Sequence, residues 1–351
     1  MQRALEPKQM DFLTFEDREQ DLPALMLLAV SLQRTAPGSR LHLPARDLGA
    51  KALDWMGCQP NVVLHRDLWA EDTFWNIKPY LLEQMLARGI PRITWLDADL
   101  MLTADPSGYF DALQNDTILV AQEGFRSRNA GTGGRTLSIG RTIARELGYT
   151  VNSCVVSVTA QHQPLLDRWK SFLRSDLYQT ADRRFIVGDQ DVLGGLLGSD
   201  EFGQLPVAAL QTGRDIAHDM LPGDFGAFQR IATLSHGEPR FVHAQGRKTW
   251  RYATGSADAT ALQSQLSLHR HWAKTHRADL PADQTAWVTQ DGALSRIMLR
   301  LFPNSPSLRG LPIGLLGSTL NLAYILRNLV RRNPTFRVGQ SPDATSSATP
   351  T

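Results

Sequence analysis

Residues 93–103 read Ile93-Thr94-Trp95-Leu96-Asp97-Ala98-Asp99-Leu100-Met101-Leu102-Thr103, an apolar run broken by two carboxylates one residue apart. Ile93, Trp95 and Leu96 read as a buried strand, and Asp-x-Asp at its exit puts charged groups at the edge of a core, where they need partners. In an extended chain the side chains at i and i+2 share a face, so Asp97 and Asp99 are expected to aim their oxygens at one point near the strand end. A hard divalent ion, magnesium or manganese, suits that point, because it takes oxygen ligands and leaves positions open for phosphates. Taken alone, a solvated strand end explains the dipeptide as well.

Upstream of this stretch the pattern alternates. Strand-like 10–15, 39–43 and 61–65 are each followed by a helical apolar pattern, over 21–38, 47–57 and 73–89, closed by Gly38, Gly57 and Gly89. The order βαβαβαβ predicts a parallel sheet with helices on both faces, and such sheets collect ligands at the carboxyl ends of their strands. Asp97 and Asp99 fall at such an end. Downstream, 117–123 and 152–158 read as strands, 164–175 as an amphipathic helix, 189–199 as a helix start, and 239–250 as a strand leading into a turn. The Gly-rich segment 124–141 lacks both phosphate-loop and dinucleotide spacings, and reads as a connection or a lid.

Composition narrows the options. The 351 residues are 42% hydrophobic and 21% charged, and 37 Lys plus Arg against 35 Asp plus Glu leave a formal charge of +2. That balance argues against a nucleic-acid partner. Two cysteines, Cys58 and Cys154, are too few for a disulfide framework and favour a reducing compartment as two packed thiols. The first residues have no apolar signal region and no segment gives an uninterrupted spanning run, so the expected location is cytoplasmic.

Two rivals use the same dipeptide. A calcium loop starting at Asp97 would need an oxygen ligand at its fifth position and Gly at its sixth, where Met101 and Leu102 stand. A phosphohydrolase with an aspartyl nucleophile would be expected to carry its pair on the first strand, not the fourth. Far downstream, His243 and Lys248 supply complementary parts: an imidazole to complete a manganese site and an ammonium to neutralise a diphosphate leaving group. By itself His243 would serve as well as a hydrogen-bonded structural histidine.

These motifs in order, 95–99 (WLDAD), 151–158 (VNSCVVSV), 188–193 (GDQDVL) and 243–250 (HAQGRKTW), resemble glycosyltransferase family 8 and neighbouring retaining sugar transferases of the GT-A fold. The resemblance covers roughly residues 10–252. It implies a Rossmann-like, mostly parallel central sheet flanked by helices over 10–255; beyond it strand signals fade, so 256–333 reads as a helical C-terminal region and 334–351 as a disordered tail. It implies a nucleotide-diphosphate sugar donor, Mn2+ or Mg2+ on Asp97, Asp99 and His243, and Lys248 with Gly246 at the diphosphate. Asn152, Asp189 and Gln190 would surround the donor sugar, with Gln190 near the anomeric carbon. Asp191 would help to orient hydroxyls, although one of the two aspartates at this helix start is expected to be a cap. Lys78 matches a basic residue on the helix before the metal motif, with a surface lysine as the competing reading.

The chain departs from the pattern where Cys154 replaces a glycine, where Gly194 replaces a common asparagine, and where the last motif is one residue short with Thr249 for proline. The shortening makes Arg247 a potential substitute for Lys248. The acceptor, whether glycan, lipid or protein, is not legible. The alternative function is a catalytically inactive GT-A-like module that binds a nucleotide sugar or a protein partner.

Near the end, residues 310–326 carry no charge and are followed by Arg-Asn-Leu-Val-Arg-Arg at 327–332. Leu315, Leu316, Leu320, Leu322, Ala323, Leu326, Leu329 and Val330 cluster on one helical face. Two readings compete: the leucine face packs on the core, or 311–332 lies peripherally at the inner face of a membrane with its arginines toward anionic lipids. The histidines of 269–276 read as scattered surface residues.

Overall fold

The structure, a computed structural model, describes residues 9–46, 48–70, 74–124, 131–219, 225–246, 248–251, 267–289 and 292–330. Arg247, part of the Gly-rich segment and the tail 334–351 lie outside the described residues, as do the side chains of 323–330 in the expected leucine face.

β1 (Asp11–Leu13), β2 (Arg40–Pro44), β3 (Val62–His65) and β4 (Arg92–Leu96) pair in parallel in the spatial order β3-β2-β1-β4. The connecting helices are α1 (Leu22–Thr35), α2 (Ala50–Gly57) and α3 (Lys78–Ala87). Both α1 and α3 begin with a proline in their first turn, where the fixed φ suits the helix and no hydrogen bond is lost. After α3 the chain turns at Gly89, whose φ of +84° admits no side chain without strain.

The helix α4 (Ser107–Asp111) leads to β6 (Ile118–Gln122), α5 (Gly133–Ser138) lies inside the Gly-rich segment, and β7 (Val151–Thr159) enters the sheet between β4 and β6. β7 is antiparallel to both neighbours, and β8 (Val207–Leu210), which the sequence reading missed, closes the edge parallel to β6. The result is a seven-stranded, mostly parallel sheet with helices on both faces, the α/β arrangement expected from the sequence. Successive strand residues divide between two cores: Phe12 and Leu119 pack with α1 and α2, while Leu13 and Val120 pack with α3, α6 (Gln163–Leu173) and α8 (Asp189–Gly198). The short α7 (Asp176–Thr180) bridges α6 and α8.

A second sheet sits at the carboxyl edge. It contains β5 (Leu100–Leu102), β9 (Ile216–His218) and β10 (Phe241–His243), in the order β5-β10-β9. The chain therefore leaves the large sheet at Leu96 and enters the small one at Leu100, and the Asp-x-Asp is the corner between them. This corrects the expectation of one extended strand: the Leu100 N–H bonds the Asp97 carbonyl at 3.0 Å, a turn that bends the two carboxylates together.

The described elements beyond residue 267 are helices, at Leu268–Ala273, Ala286–Thr289, Ala293–Leu301 and Leu311–Val330, with short 3-10 turns between them. Leu268, Ala273, Trp287 and Val288 join the core around α1. His269 and His276 are buried, contrary to the surface reading. His269 stacks on Trp287 (6.4 Å, 20°) and meets Trp250 at 5.5 Å, and burial pushes its pKa down to about 3.

The helix Leu311–Val330 packs on α9 (Ala227–His236), and among its described side chains the buried ones are Ile313, Gly314 and Gly317. A Cβ on Gly314 would meet the Ala227 nitrogen at 3.0 Å. Leu315 and Leu322 remain 54% and 57% exposed.

Candidate metal and donor site

Register brings the distant residues together. β5 and β10 are antiparallel with Leu100 opposite His243, which sets the histidine beside the Asp97–Asp99 corner. The backbone holds it there: the Ala244 N–H bonds the Asp99 carbonyl at 3.0 Å, and the Asp97 N–H bonds the Cys154 carbonyl on β7 at 2.9 Å. His243 Nε2 lies 3.3 Å from Asp99 Oδ1 and 4.0 Å from Asp97 Oδ2. Each of the three offers an atom within 4.8 Å of the others. Two carboxylates and one imidazole are a donor set that fits manganese or magnesium.

Two lysines compensate the acids from opposite sides. The Lys248 ammonium contacts the Asp99 carboxylate and donates to the Ala244 carbonyl at 2.7 Å, so the chain curls back through the bend at Gly246. Burial alone would raise the Asp99 pKa, but Lys248 and His243 outweigh it and hold the carboxyl well below the usual range. Lys78 is 3% exposed, so the surface reading does not hold. Its ammonium lies 3.0 Å from Asp97 Oδ1 and 3.4 Å from Asp189 Oδ2, and donates to Ser153 Oγ at 2.7 Å. Burial would favour the neutral amine, but Asp189 and Asp97 keep it charged. Asp97 also accepts from Trp95 Nε1 at 2.7 Å.

The start of α8 separates its two aspartates. Asp189 is buried in the site, accepting from Ser153 Oγ at 2.8 Å, and burial raises its pKa against the pull of Lys78. Asp191 turns away. Its Oδ2 accepts from the Val187 and Gly188 N–H groups at 2.9 and 3.3 Å, and its Oδ1 pairs with Arg135 Nε at 2.7 Å. Asp191 is the cap, and the geometry leaves it no free oxygen directed at the metal corner.

Sequence reading overlooked Glu123, at the carboxyl end of β6. Its carboxylate gathers Asn152 Nδ2 at 2.9 Å, Gln190 Nε2 at 3.1 Å, Gln245 Nε2 at 2.7 Å and the Gly124 N–H at 2.9 Å. Burial would raise the Glu123 pKa, but the donors on Gln245, Gly124 and Gln190 help to hold it below the usual value. Its place at a strand's carboxyl end was the available signal. Cys154 is fully buried, with Sγ within 4.8 Å of ring nitrogens of His218 and His243. The single thiol therefore faces the imidazoles rather than standing free in the cleft.

No protein-family model and no curated protein matches the sequence. Solved structures do match. The WbbM bifunctional glycosyltransferase in its apo form is 12% identical with a TM-score of 0.51, over 82% of this chain and 53% of that chain. The galactosyltransferase LgtC, solved with donor and acceptor sugar analogues, is 16% identical with a TM-score of 0.46, over 79% of this chain and 100% of that one. GlyE of Streptococcus pneumoniae TIGR4 is 11% identical with a TM-score of 0.48, over 84% and 64%. At these identities the likeness concerns the fold, which is that of GT-A glycosyltransferases, and this chain spans about half the length of WbbM.

Proposed function

We propose that this protein transfers a sugar from a nucleotide-diphosphate donor to an acceptor, with a divalent cation held by Asp97, Asp99 and His243. The observation that carries the reading is the convergence of a distant imidazole on the Asp-x-Asp corner, His243 Nε2 lying 3.3 Å from Asp99. A bound cation would polarise the diphosphate and stabilise it as a leaving group. The chain's own groups do the rest.

Breaking a sugar–phosphate bond builds positive charge on the ring and negative charge on the departing diphosphate. Lys248, whose ammonium needs only to leave Asp99, would meet that negative charge. Lys78 has no free path to the donor. Its part is to hold the Asp97 and Asp189 carboxylates in place, at 3.0 and 3.4 Å from its ammonium. Asn152, Gln190 and Glu123 form one hydrogen-bonded unit suited to orienting sugar hydroxyls. An amide is a poor nucleophile, so Gln190 fits retention through front-face attack, in which the acceptor hydroxyl passes its proton to the leaving phosphate.

Incubation with manganese and a panel of nucleotide sugars should show slow hydrolysis of at least one donor. Asp99→Asn should reduce it by about 10²–10³-fold, the scale of a lost charge-stabilising group. Absence of turnover with saturable nucleotide-sugar binding would instead favour the inactive binding module.

We also infer a peripheral membrane surface. Phe228 is 83% exposed on α9, Ile297 and Leu301 are exposed on the helix Ala293–Leu301, and Leu315, Leu316 and Leu322 are exposed on the last helix. Arg296 and Arg300 are exposed on the same helix as Ile297 and Leu301, and Arg309 is exposed just before the last helix. Apolar side chains mixed with arginines suit an anionic lipid surface. Among the described residues no helix is long and apolar enough to cross a membrane.

A further inference from the structure

We propose that His218 is a positioning residue that fixes the ring of His243 as the Nδ1–H form, leaving the Nε2 lone pair for the cation. The inference deepens the sugar-transfer reading and takes from it the role of His243. Its support is geometric and lies behind the site, on the small sheet.

β9 and β10 run parallel with His218 paired to His243. His218 Nε2 lies 2.7 Å from the Gln122 carbonyl, an atom that can only accept, so Nε2 must carry the hydrogen. An imidazole is ordinarily neutral at pH 7, and a neutral ring has one N–H. His218 Nδ1 is therefore an acceptor. The group facing it is His243 Nδ1 at 3.0 Å, which must donate. His243 then turns Nε2 toward the two aspartates. The direction of the bond is the same whether or not Nε2 also carries a proton, so the relay exists before any cation arrives.

Every polar ring atom of the pair is thus assigned from one backbone carbonyl on β6. Metal-bound histidines are generally held in this way by an acceptor on the far nitrogen, and losing that acceptor costs about 10–100-fold in metal affinity. Here the acceptor is an imidazole. Cys154 does not convert the pair into a site for a soft ion. Burial holds its thiol protonated, and both nitrogens of His218 are already engaged.

Three variants and one spectrum test this. In His218→Leu the acceptor is gone, and Mn2+ affinity by calorimetry should fall about 10–100-fold. In His218→Asn the amide oxygen can take the place of Nδ1, and affinity should return to within severalfold of the parent. His218→Lys, which presents a donor, should be as weak as the leucine variant. Ring-labelled 1H–15N spectra of the parent, without metal, should show His218 protonated at Nε2 only and His243 protonated at Nδ1. A folded His218→Leu protein with unchanged Mn2+ affinity, or a His218 ring protonated at Nδ1, overturns the proposal. Should the leucine variant fail to fold, the asparagine and lysine variants and the parent spectrum decide. A parent that shows the relay but binds no Mn2+ would sink the metal reading and leave the tautomer assignment standing.

Discussion

The corner around Asp97 and the helices around Leu315 handle unfavourable groups in opposite ways. At the corner, acids and a lysine are withdrawn from water, yet each finds partners inside the chain: Lys78 meets Asp97, Asp189 and Ser153, and Asp99 meets Lys248 and His243. In the C-terminal helices apolar side chains stay in water and the described residues do not cover them. The first region is complete by itself and arranged for small charged ligands.

The sharpest way to break the comparison is to remove a partner where all are internal. Lys78→Met leaves the buried Asp189 and the half-buried Asp97 without their shared cation, and should cost about 3–5 kcal/mol of stability, the scale for orphaning a buried charge. The urea midpoint measures it, and adding Asp189→Asn should restore part of the loss. A change below 1 kcal/mol would mean the acids have water, not Lys78, as their partner. Lys248→Ala comes next. Its loss should leave folding near the parent's, since its ammonium is partly solvated, while turnover falls about 10²-fold, the lower end for removing one charge-stabilising donor.

How much of this was legible in the sequence depends on whether a feature repeats or pairs. The alternation β1 to β4 was readable because each helix spans enough residues for its period to show, and Asp97, Asp99, His243 and Lys248 were readable as motifs. β5 and β9 were not, being three-residue strands with neither a clear helical period following, as β1 has, nor a motif of their own, as β10 has. Lys78 and Glu123 were obscured for another reason. Each is a single charged residue whose meaning lies in partners across the sheet, Ser153 for one and Asn152 with Gln190 for the other. For the last helix, periodicity shows which residues share a side, while the buried glycines at 314 and 317 mark a side that approaches α9, which the leucine pattern does not reveal.

A third prediction sharpens the contrast from the buried side. His269 has no exposed surface and its pKa is pushed down to about 3, below the ordinary value near 6.5. Between those values the unfolded chain binds a proton that the folded chain refuses, so stability rises with pH across that window and is flat above it. His218 and His276, both pushed to about 4, act with the same sign. His269→Phe keeps the stacking on Trp250 and Trp287 but removes one such proton. Its stability should fall less steeply with acid, by about 1.4 kcal/mol per pH unit below 6. Parallel slopes for the two proteins would show that His269 is protonated in the fold.

The smallest effect is expected where the chain leaves groups uncovered. Leu315 and Leu316 are 54% and 41% exposed, so replacing them with serine removes little packing and should leave the thermal midpoint nearly unchanged. Against vesicles containing phosphatidylserine the same change should matter. Side chains at a lipid interface insert only partway, so each leucine should contribute on the order of 1 kcal/mol, about fivefold in partitioning measured by flotation. Arg296→Ala with Arg300→Ala should weaken binding by a similar factor and only to anionic vesicles, which separates charge attraction from apolar insertion. If neither pair of substitutions shifts partitioning while the parent floats, the lipid contact lies elsewhere on the molecule. If the parent does not float, the exposed leucines await a protein surface, and the apolar region is an interface of a different kind from the one proposed.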